Sequence, residues 1–298
     1  MNSSRLSVVA HLAAFFVVAV WGSTFVFTKL LLLSGLSSAH IFTLRYILAY
    51  VLLLLFSLAR KKGQRWQTES WRDELILFGM GVTGGSLYFL AENESMNYTT
   101  TTNSSLIVSS TPLLTAALVG LFYRSERMNR VQTIGSLIAM AGVVVVILNG
   151  RFVLHLSPIG DALALTAALC WAFYSLMMIQ VNKRYDELFI TRRVFLYGLL
   201  TIIPYYMIVP GMPPLDVLAR PAILVNLFFL GIVASMLCFL IWAWAIKKIG
   251  AVAATNYVYV SPVVSVVFAW LILSEPITLF FLTGAALILV GMYLADRK

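Results

Sequence analysis

The sequence predicts an all-α integral membrane protein: ten transmembrane helices in an inverted 5+5 repeat, with both termini cytoplasmic. Three observations carry this expectation: the composition, the length of the apolar runs, and a match between the two halves of the chain. Of 298 residues, 61% are hydrophobic and only 11% charged, and the mean hydropathy is +0.92. A soluble globular domain is about 45–50% apolar and about 25% charged. A soluble enzyme is therefore excluded, and so is disorder, because bulky apolar residues abound. The formal net charge is +9. In a soluble protein that balance would suggest nucleic acid. Here the basic residues sit in short segments between apolar runs, the pattern of membrane topology, and no nucleic-acid partner is expected.

A spanning helix needs about 20 mostly apolar residues, and ten runs qualify. Span 1 covers 9–32, with Lys29 near its far end. Span 2 covers 39–58 and holds Arg45. Span 3, 75–97, ends on Glu92 and Glu94. Span 4, 102–122, contains Pro112, and span 5, 130–149, carries spaced glycines. Span 6, 158–180, opens on Pro158 and Asp161, and span 7, 189–209, holds Arg192 and Arg193. Spans 8 (222–246), 9 (251–273, with Pro262) and 10 (277–295, again with spaced glycines) complete the set. The connections are short, and no soluble domain fits between them. The first run is too long for the apolar stretch of a signal peptide. Cys170 and Cys238 lie inside apolar runs, so neither a disulfide framework nor a CxxC metal site is expected. His11, His40 and His155 have no ligand spacing.

Orientation follows from the loops. With the N-terminus inside, the inner segments hold 16 basic residues: Arg5, Arg60, Lys61, Lys62, Arg65, Arg72, Arg124, Arg127, Arg130, Lys183, Arg184, Arg192, Lys247, Lys248, Arg297 and Lys298. The outer segments hold 3: Lys29, Arg151 and Arg220. That bias places both termini in the cytoplasm.

Residues 81–112 align without a gap on 231–262, at an offset of 150. The identities are Gly81/Gly231, Leu87/Leu237, Phe89/Phe239, Leu90/Leu240, Val108/Val258 and Pro112/Pro262. Beyond the prolines the offset becomes 149, matching Ser125-Glu126 to Ser274-Glu275, Gly135 to Gly284 and Gly142 to Gly291; Trp21 matches Trp171. The expected units are 1–150 and 151–298. Five spans per half is an odd number, so the second half is inverted. Inverted repeats point to alternating access, with a site near the midplane where the repeats meet.

These residues also resemble a known family. Trp21-Gly22-Ser23-Thr24, Arg45, Leu90-Ala91-Glu92-Asn93, Tyr98-Thr99, Pro112 and Glu126 in the first half, with Trp171-Ala172, Ser261-Pro262 and Ser274-Glu275-Pro276 in the second, are similar along the whole chain to the EamA-type branch of the drug/metabolite transporter superfamily. The resemblance implies a ten-helix secondary transporter, usually an exporter of amino acids or small metabolites, with no ATPase and no bound cofactor. Small multidrug relatives carry an essential carboxylate in their first span, and Val17 to Trp21 has none. That departure weakens drug/proton antiport by that chemistry.

Ionisable residues cost at least about 2.5–3.5 kcal/mol each at the centre of a spanning helix, so each marks function by default. Glu92 and Arg45 fall at matching depth in the outer half. Glu92 is a candidate for a substrate amine or a proton, and Arg45 for a substrate carboxylate. The plainer alternative is a permanent Arg45–Glu92 ion pair locking spans 2 and 3. Glu94 is about 200° around the helix from Glu92 and cannot face the same cavity; it is the candidate for a position in water at the lip. Arg193, the repeat counterpart of Arg45, is either a substrate contact or a snorkelling side chain, and Lys29 reads as a snorkelling anchor. Trp21, Trp171, Tyr88 and Tyr257 are candidates to line a cavity, against ordinary helix packing. Asn103 and Asn256 either bridge helices or bind substrate. Pro112 and Pro262 are candidate hinges that free the carbonyls of Val108 and Val258, against fixed kinks. Hydroxyls at Ser109, Ser110, Thr111 and Ser261 could satisfy that backbone or touch substrate. Ser125-Glu126, Ser274-Glu275-Pro276 and Asp161 read as helix caps. Gly81 and Gly85 allow close helix approach, and the glycine faces of spans 5 and 10 are packing faces or a dimer face.

The expected protein is a monomeric multi-pass transporter of the inner (plasma) membrane. It moves a small-molecule substrate outward, with protons as a candidate coupling ion and no metal. A sugar-phosphate or nucleotide-sugar carrier of the same superfamily is the near rival, and it would want more deep Lys and Arg. A membrane-embedded enzyme, a channel and a non-transport membrane subunit are the other classes weighed; no catalytic cluster, pore ring or filter segment supports the first two.

Overall fold

The computed structural model describes residues 3–59, 65–99, 101–123, 127–148, 157–208, 211, 213, 215–273 and 278–295. Side chains at 3–6, 101–103, 147–148, 208, 269 and 272–273 lie outside the described set. The helices are α1 (Ser3–Leu33), α2 (Ser38–Ala59), α3 (Trp71–Gly81), α4 (Leu87–Tyr98), α5 (Thr101–Val108), α6 (Thr111–Phe122), α7 (Arg130–Leu148), α8 (Pro158–Val181), α9 (Glu187–Ile208), α10 (Leu215–Leu218), α11 (Pro221–Phe228), α12 (Cys238–Ile249), α13 (Ala251–Asn256), α14 (Ser261–Leu273) and α15 (Leu279–Ala295). No strand occurs among the described residues. Among the described residues, eight helical segments are long and apolar enough to cross a membrane; Arg130–Val146 and Leu279–Ala295 are apolar but shorter.

Hydrocarbon offers no hydrogen bonds, so helices are the only open-ended way to cross it. Their ends are tied as the sequence suggests. Ser70 caps α3 by accepting from Asp73 N at 3.2 Å, and Ser157 caps α8 by accepting from Gly160 N at 3.3 Å. Asp161 closes the α8 cap by accepting from Ser157 N at 3.2 Å. Asn129 and Gln132 form a reciprocal cap at the start of α7, each side chain accepting from the other's backbone N–H at 2.9 Å, which the sequence reading missed. The caps expected at Ser125-Glu126 and Ser274-Glu275-Pro276 lie outside the described residues.

The membrane helices are not continuous. α3 and α4 are joined by a wide, π-helical stretch at Val82–Ser86, and α11 and α12 by another at Phe229–Leu237. The two stretches overlap at an offset of 150 and mark where helices cross closely. A Cβ on Gly81 would lie 2.4 Å from Tyr197 Cβ of α9, and one on Gly231 2.8 Å from Leu48 Cδ2 of α2. The proline segments differ from expectation. Pro112 sits in the first turn of α6 and Pro262 in the first turn of α14, where a missing N–H costs nothing. The breaks come before them, at Ser109–Ser110 and in the 3₁₀ turn Tyr257–Val260. Neither carbonyl is left free: Val108 O accepts from Thr111 Oγ1 at 2.6 Å, and Val258 O from Ser261 N.

Packing crosses between the halves. α1 lies on α12 and α14, while α8 lies on α4, α5 and α6. α7 and α15 run antiparallel against each other. A Cβ on Gly135 would lie 2.6 Å from Gly291 O, and one on Gly142 2.7 Å from Gly284 O; the converse contacts are as short. The glycine faces are thus consumed within one chain, between helices that the repeat makes equivalent. At the centre, Trp21 and Trp171 meet edge to face with ring centroids 5.0 Å apart, flanked by Trp242 and Phe239.

A side chain on Gly142 would have to force two backbones apart. Gly142→Val is expected to cost about 1–3 kcal/mol, read as a lower thermal midpoint of the purified protein. Gly120→Ala meets nothing nearer than the flexible Arg127 Cγ at 3.3 Å and leaves the midpoint unchanged or higher.

Candidate functional site

A cavity lies where α1, α2, α4, α8 and α12 converge with the chain breaks at 108–111 and 258–261. Trp21, Arg45, Tyr88, Glu92 and Trp171, all anticipated from sequence, line it together. Its free space to the centres of water-sized spheres is about 50 Å³, room for a few waters. The wall is aromatic: Trp171 contacts Tyr88 with ring centroids 5.1 Å apart, and Phe25, Phe89 and Phe239 join it.

The two buried charges are each held by neutral partners. Arg45, 2% exposed, donates from Nε to Ser235 Oγ at 2.8 Å, and its guanidinium carbon sits 4.5 Å from the centre of the Phe89 ring. Glu92 Oε1 accepts from Tyr88 OH at 2.7 Å, one helical turn away. Among the described residues no ion pair within 4.0 Å joins Arg45 to Glu92. The locking pair weighed from the sequence is not formed. A carboxylate and a guanidinium instead face one small space walled by aromatic rings, where their charges are screened less than in bulk water.

Other anticipated residues fall elsewhere. Glu94 is turned away, accepting from Asn97 Nδ2 at 2.9 Å and Tyr205 OH at 3.5 Å. Tyr257 faces His11, its hydroxyl 2.9 Å from Nδ1, outside the cavity lining. Asn256 is buried, neither amide atom has a hydrogen-bond partner, and it too lies outside the lining. The Asn103 side chain lies outside the described set. Lys29 Nζ donates to Met96 O at 3.3 Å, tying α1 to α4. Arg193 is not a second Arg45. It pairs with Glu74 Oε1 at 3.2 Å and donates to Trp66 O at 2.6 Å. Pro112 and Pro262 stand beside the lining, which takes Thr111 and Ser261 instead.

Sequence reasoning missed Ser235 and Phe239. Phe239 was within reach as the repeat counterpart of Phe89. Ser235 was not, because its counterpart is Gly85 and only the wide turn aims it at Arg45. Among the described residues no three of His, Cys, Asp and Glu converge to hold a metal ion.

At the end of the bundle where α3 and α9 begin and α8 ends, the charges are paired. Arg184 grips Asp73 through one nitrogen at 2.9 and 3.0 Å, and Tyr185 OH donates to the same carboxylate at 2.9 Å. Burial, foremost, raises the pKa of Tyr185, so it remains a donor. Tyr197 OH and Thr68 Oγ1 both donate to Glu74, and Lys247 pairs with Glu187 at 3.2 Å.

If the Arg45 charge were structural, removing it would destabilise the fold. An unpaired cation in an apolar site is instead a cost, and an apolar side chain of similar volume is often neutral or stabilising. Arg45→Met is expected to keep or raise the thermal midpoint, whereas Arg45→Ala, which leaves a void, costs about 2–5 kcal/mol of stability and lowers the midpoint. A midpoint in Arg45→Met as low as in Arg45→Ala overturns this.

A solved crystal structure superposes with a TM-score of 0.76 over 96% of this chain and 97% of its own, at 20% identity, which establishes the fold. A protein of Archaeoglobus fulgidus named an uncharacterized transporter is 26% identical over 97% of both chains. A Streptantibioticus cattleyicolor protein named a probable terminal-alkyne amino-acid exporter is 26% identical over 76% of this chain and 74% of its own. The family model of EamA-like transporters matches twice, over residues 8–148 and 158–295, and with these two matches the chain belongs to the EamA-like transporter family.

Proposed function

We propose that this multi-pass membrane protein exports an amino acid or a related small zwitterionic metabolite by alternating access. In this reading α7 and α15 also span the bilayer, giving ten membrane helices. Residues 1–150 and 151–298 are inverted repeats, and both termini are cytoplasmic. The reading rests above all on one observation: a buried guanidinium and a buried carboxylate face the same cavity without bonding to each other. A zwitterion supplies the missing partner to each. Its ammonium goes to Glu92, its carboxylate to Arg45, and its side chain to Trp21, Trp171 and Phe239, whose ring faces suit apolar or cationic groups. Asn103, Tyr257 and Asn256 are carried over from the sequence as secondary candidates, and Pro112 and Pro262 as hinges. The antiparallel contact of α7 with α15 is the relation that inversion demands. The relative named as an amino-acid exporter supports the substrate class, and protons displaced from Glu92 by an ammonium are the proposed coupling ion.

The test is counterflow of a labelled amino-acid panel by the purified protein in liposomes. The expected result is saturable exchange of one class. A charge-assisted hydrogen bond contributes about 1.5–3 kcal/mol, so Glu92→Gln and Arg45→Met each weaken half-saturation roughly ten- to hundredfold. Glu92→Gln also abolishes acceleration by a pH gradient. Exchange of phosphorylated sugars alone, or amino-acid exchange indifferent to both substitutions, overturns the reading.

A further inference from the structure

Of the hydrogen bonds that join α1 to the second half of the chain, two flank the matched tryptophan and the second proline. Trp21 Nε1 donates to Ala234 O at 2.9 Å, within the wide stretch 229–237. Ser265 Oγ, three residues beyond Pro262, donates to Gly22 O at 2.7 Å. The offset of 150 assigns each bond a counterpart joining α8 to the first half. Trp171 Nε1 should donate to Gly84 O, within the wide stretch 82–86. Thr115 Oγ1, three residues beyond Pro112, should donate to Ala172 O. Neither bond is made. Trp171 Nε1 and Thr115 Oγ1 are both buried and without a hydrogen-bond partner. Gly84 O accepts from Tyr46 OH at 3.0 Å instead. Gly84 itself lies against the Tyr174 ring, one turn beyond Trp171 on α8, so that a Cβ there would be 2.3 Å from Tyr174 Cδ2. The same element pair is therefore engaged on one side of the cavity and out of register on the other.

A buried donor without an acceptor costs free energy comparable to a lost hydrogen bond. Two such donors at repeat-related positions, each with a named acceptor on the facing element, are hard to explain as chance packing. They are what one conformation of a two-state device looks like, because inverted repeats change access by moving one part against the other around a fixed site.

We propose that the two pairs exchange. In the conformation opened to the opposite side, Trp171 Nε1 bonds Gly84 O and Thr115 Oγ1 bonds Ala172 O, while Trp21–Ala234 and Ser265–Gly22 part. The inference rests on the alternating-access reading above and adds to it the atoms that set the balance between the two states. Each state keeps two of the four bonds, so the balance stays near even and substrate can tip it.

The exchange predicts opposite effects from equivalent positions. Spin labels at Lys183 and Lys248 report one end of the bundle, and labels at Tyr98 and Arg220 the other, in a background with Cys170 and Cys238 replaced by alanine. Distance distributions are measured in lipid nanodiscs. Ser265→Ala and Trp21→Phe remove bonds of the present conformation and lower its share. Thr115→Val and Trp171→Phe remove bonds of the exchanged one and raise that share. Each ratio moves roughly two- to tenfold, the effect of one hydrogen bond. The hydroxyl pair alters least volume and carries the test if a tryptophan variant fails to fold. If Thr115→Val is silent or moves the ratio in the same direction as Ser265→Ala, the asymmetry is fixed by sequence, as in Gly22 against Ala172, and the exchange is wrong while alternating access stands. A single distance population at both ends, unmoved by any variant, overturns alternating access as well.

Discussion

Everything at the centre of this protein follows from one constraint. A backbone that leaves the α-helix inside hydrocarbon must find polar partners or border a polar space. Four irregular stretches occur at membrane depth: 82–86, 108–111, 229–237 and 257–260. Each is answered locally. Thr111 serves Val108, Ser109 serves Ser105, Trp21 serves Ala234, Tyr46 serves Gly84 and the Ser261 N–H serves Val258. Thr111, Ser109 and Trp21 also line the cavity, so the repair of the backbone and the construction of the site share residues.

That constraint also explains what could be read in advance. Hydropathy and length located the membrane helices. The matched prolines located the broken segments, and the matched tryptophans located the centre. Glycines at 135, 142, 284 and 291 announced a close contact, but only the fold showed that the two faces meet each other. The wide turns were invisible, because a π-helical stretch has no composition of its own, and Gly81 reads equally well as a plain packing residue. Ser235 was lost with them. Arg193 misled for a related reason: a repeat carries position, not environment. Its counterpart Arg45 lies beside a cavity, whereas Arg193 lies in the second turn of α9, where Glu74 and Trp66 O are within reach.

Charge is distributed by depth. At the end of the bundle where α3 and α9 begin, Asp73, Glu74, Arg184, Arg193, Glu187 and Lys247 neutralise one another across elements from both halves. In the cavity, Arg45 and Glu92 are each steadied by neutral groups and keep their charge for something else. The first arrangement ties helix ends together. The second leaves a guanidinium and a carboxylate lining one cavity with no ion pair between them among the described residues.

The narrowness of the cavity has a quantitative consequence. At about 50 Å³ to water centres it holds a few waters, not an amino acid. A solute therefore meets a binding-competent protein only in the fraction of molecules that have widened. If that fraction is about one in a hundred, apparent affinity is weakened about a hundredfold relative to the widened site. On the export reading proposed above, such a carrier would work as an overflow valve, nearly idle at trace concentrations and engaged in proportion as the solute accumulates.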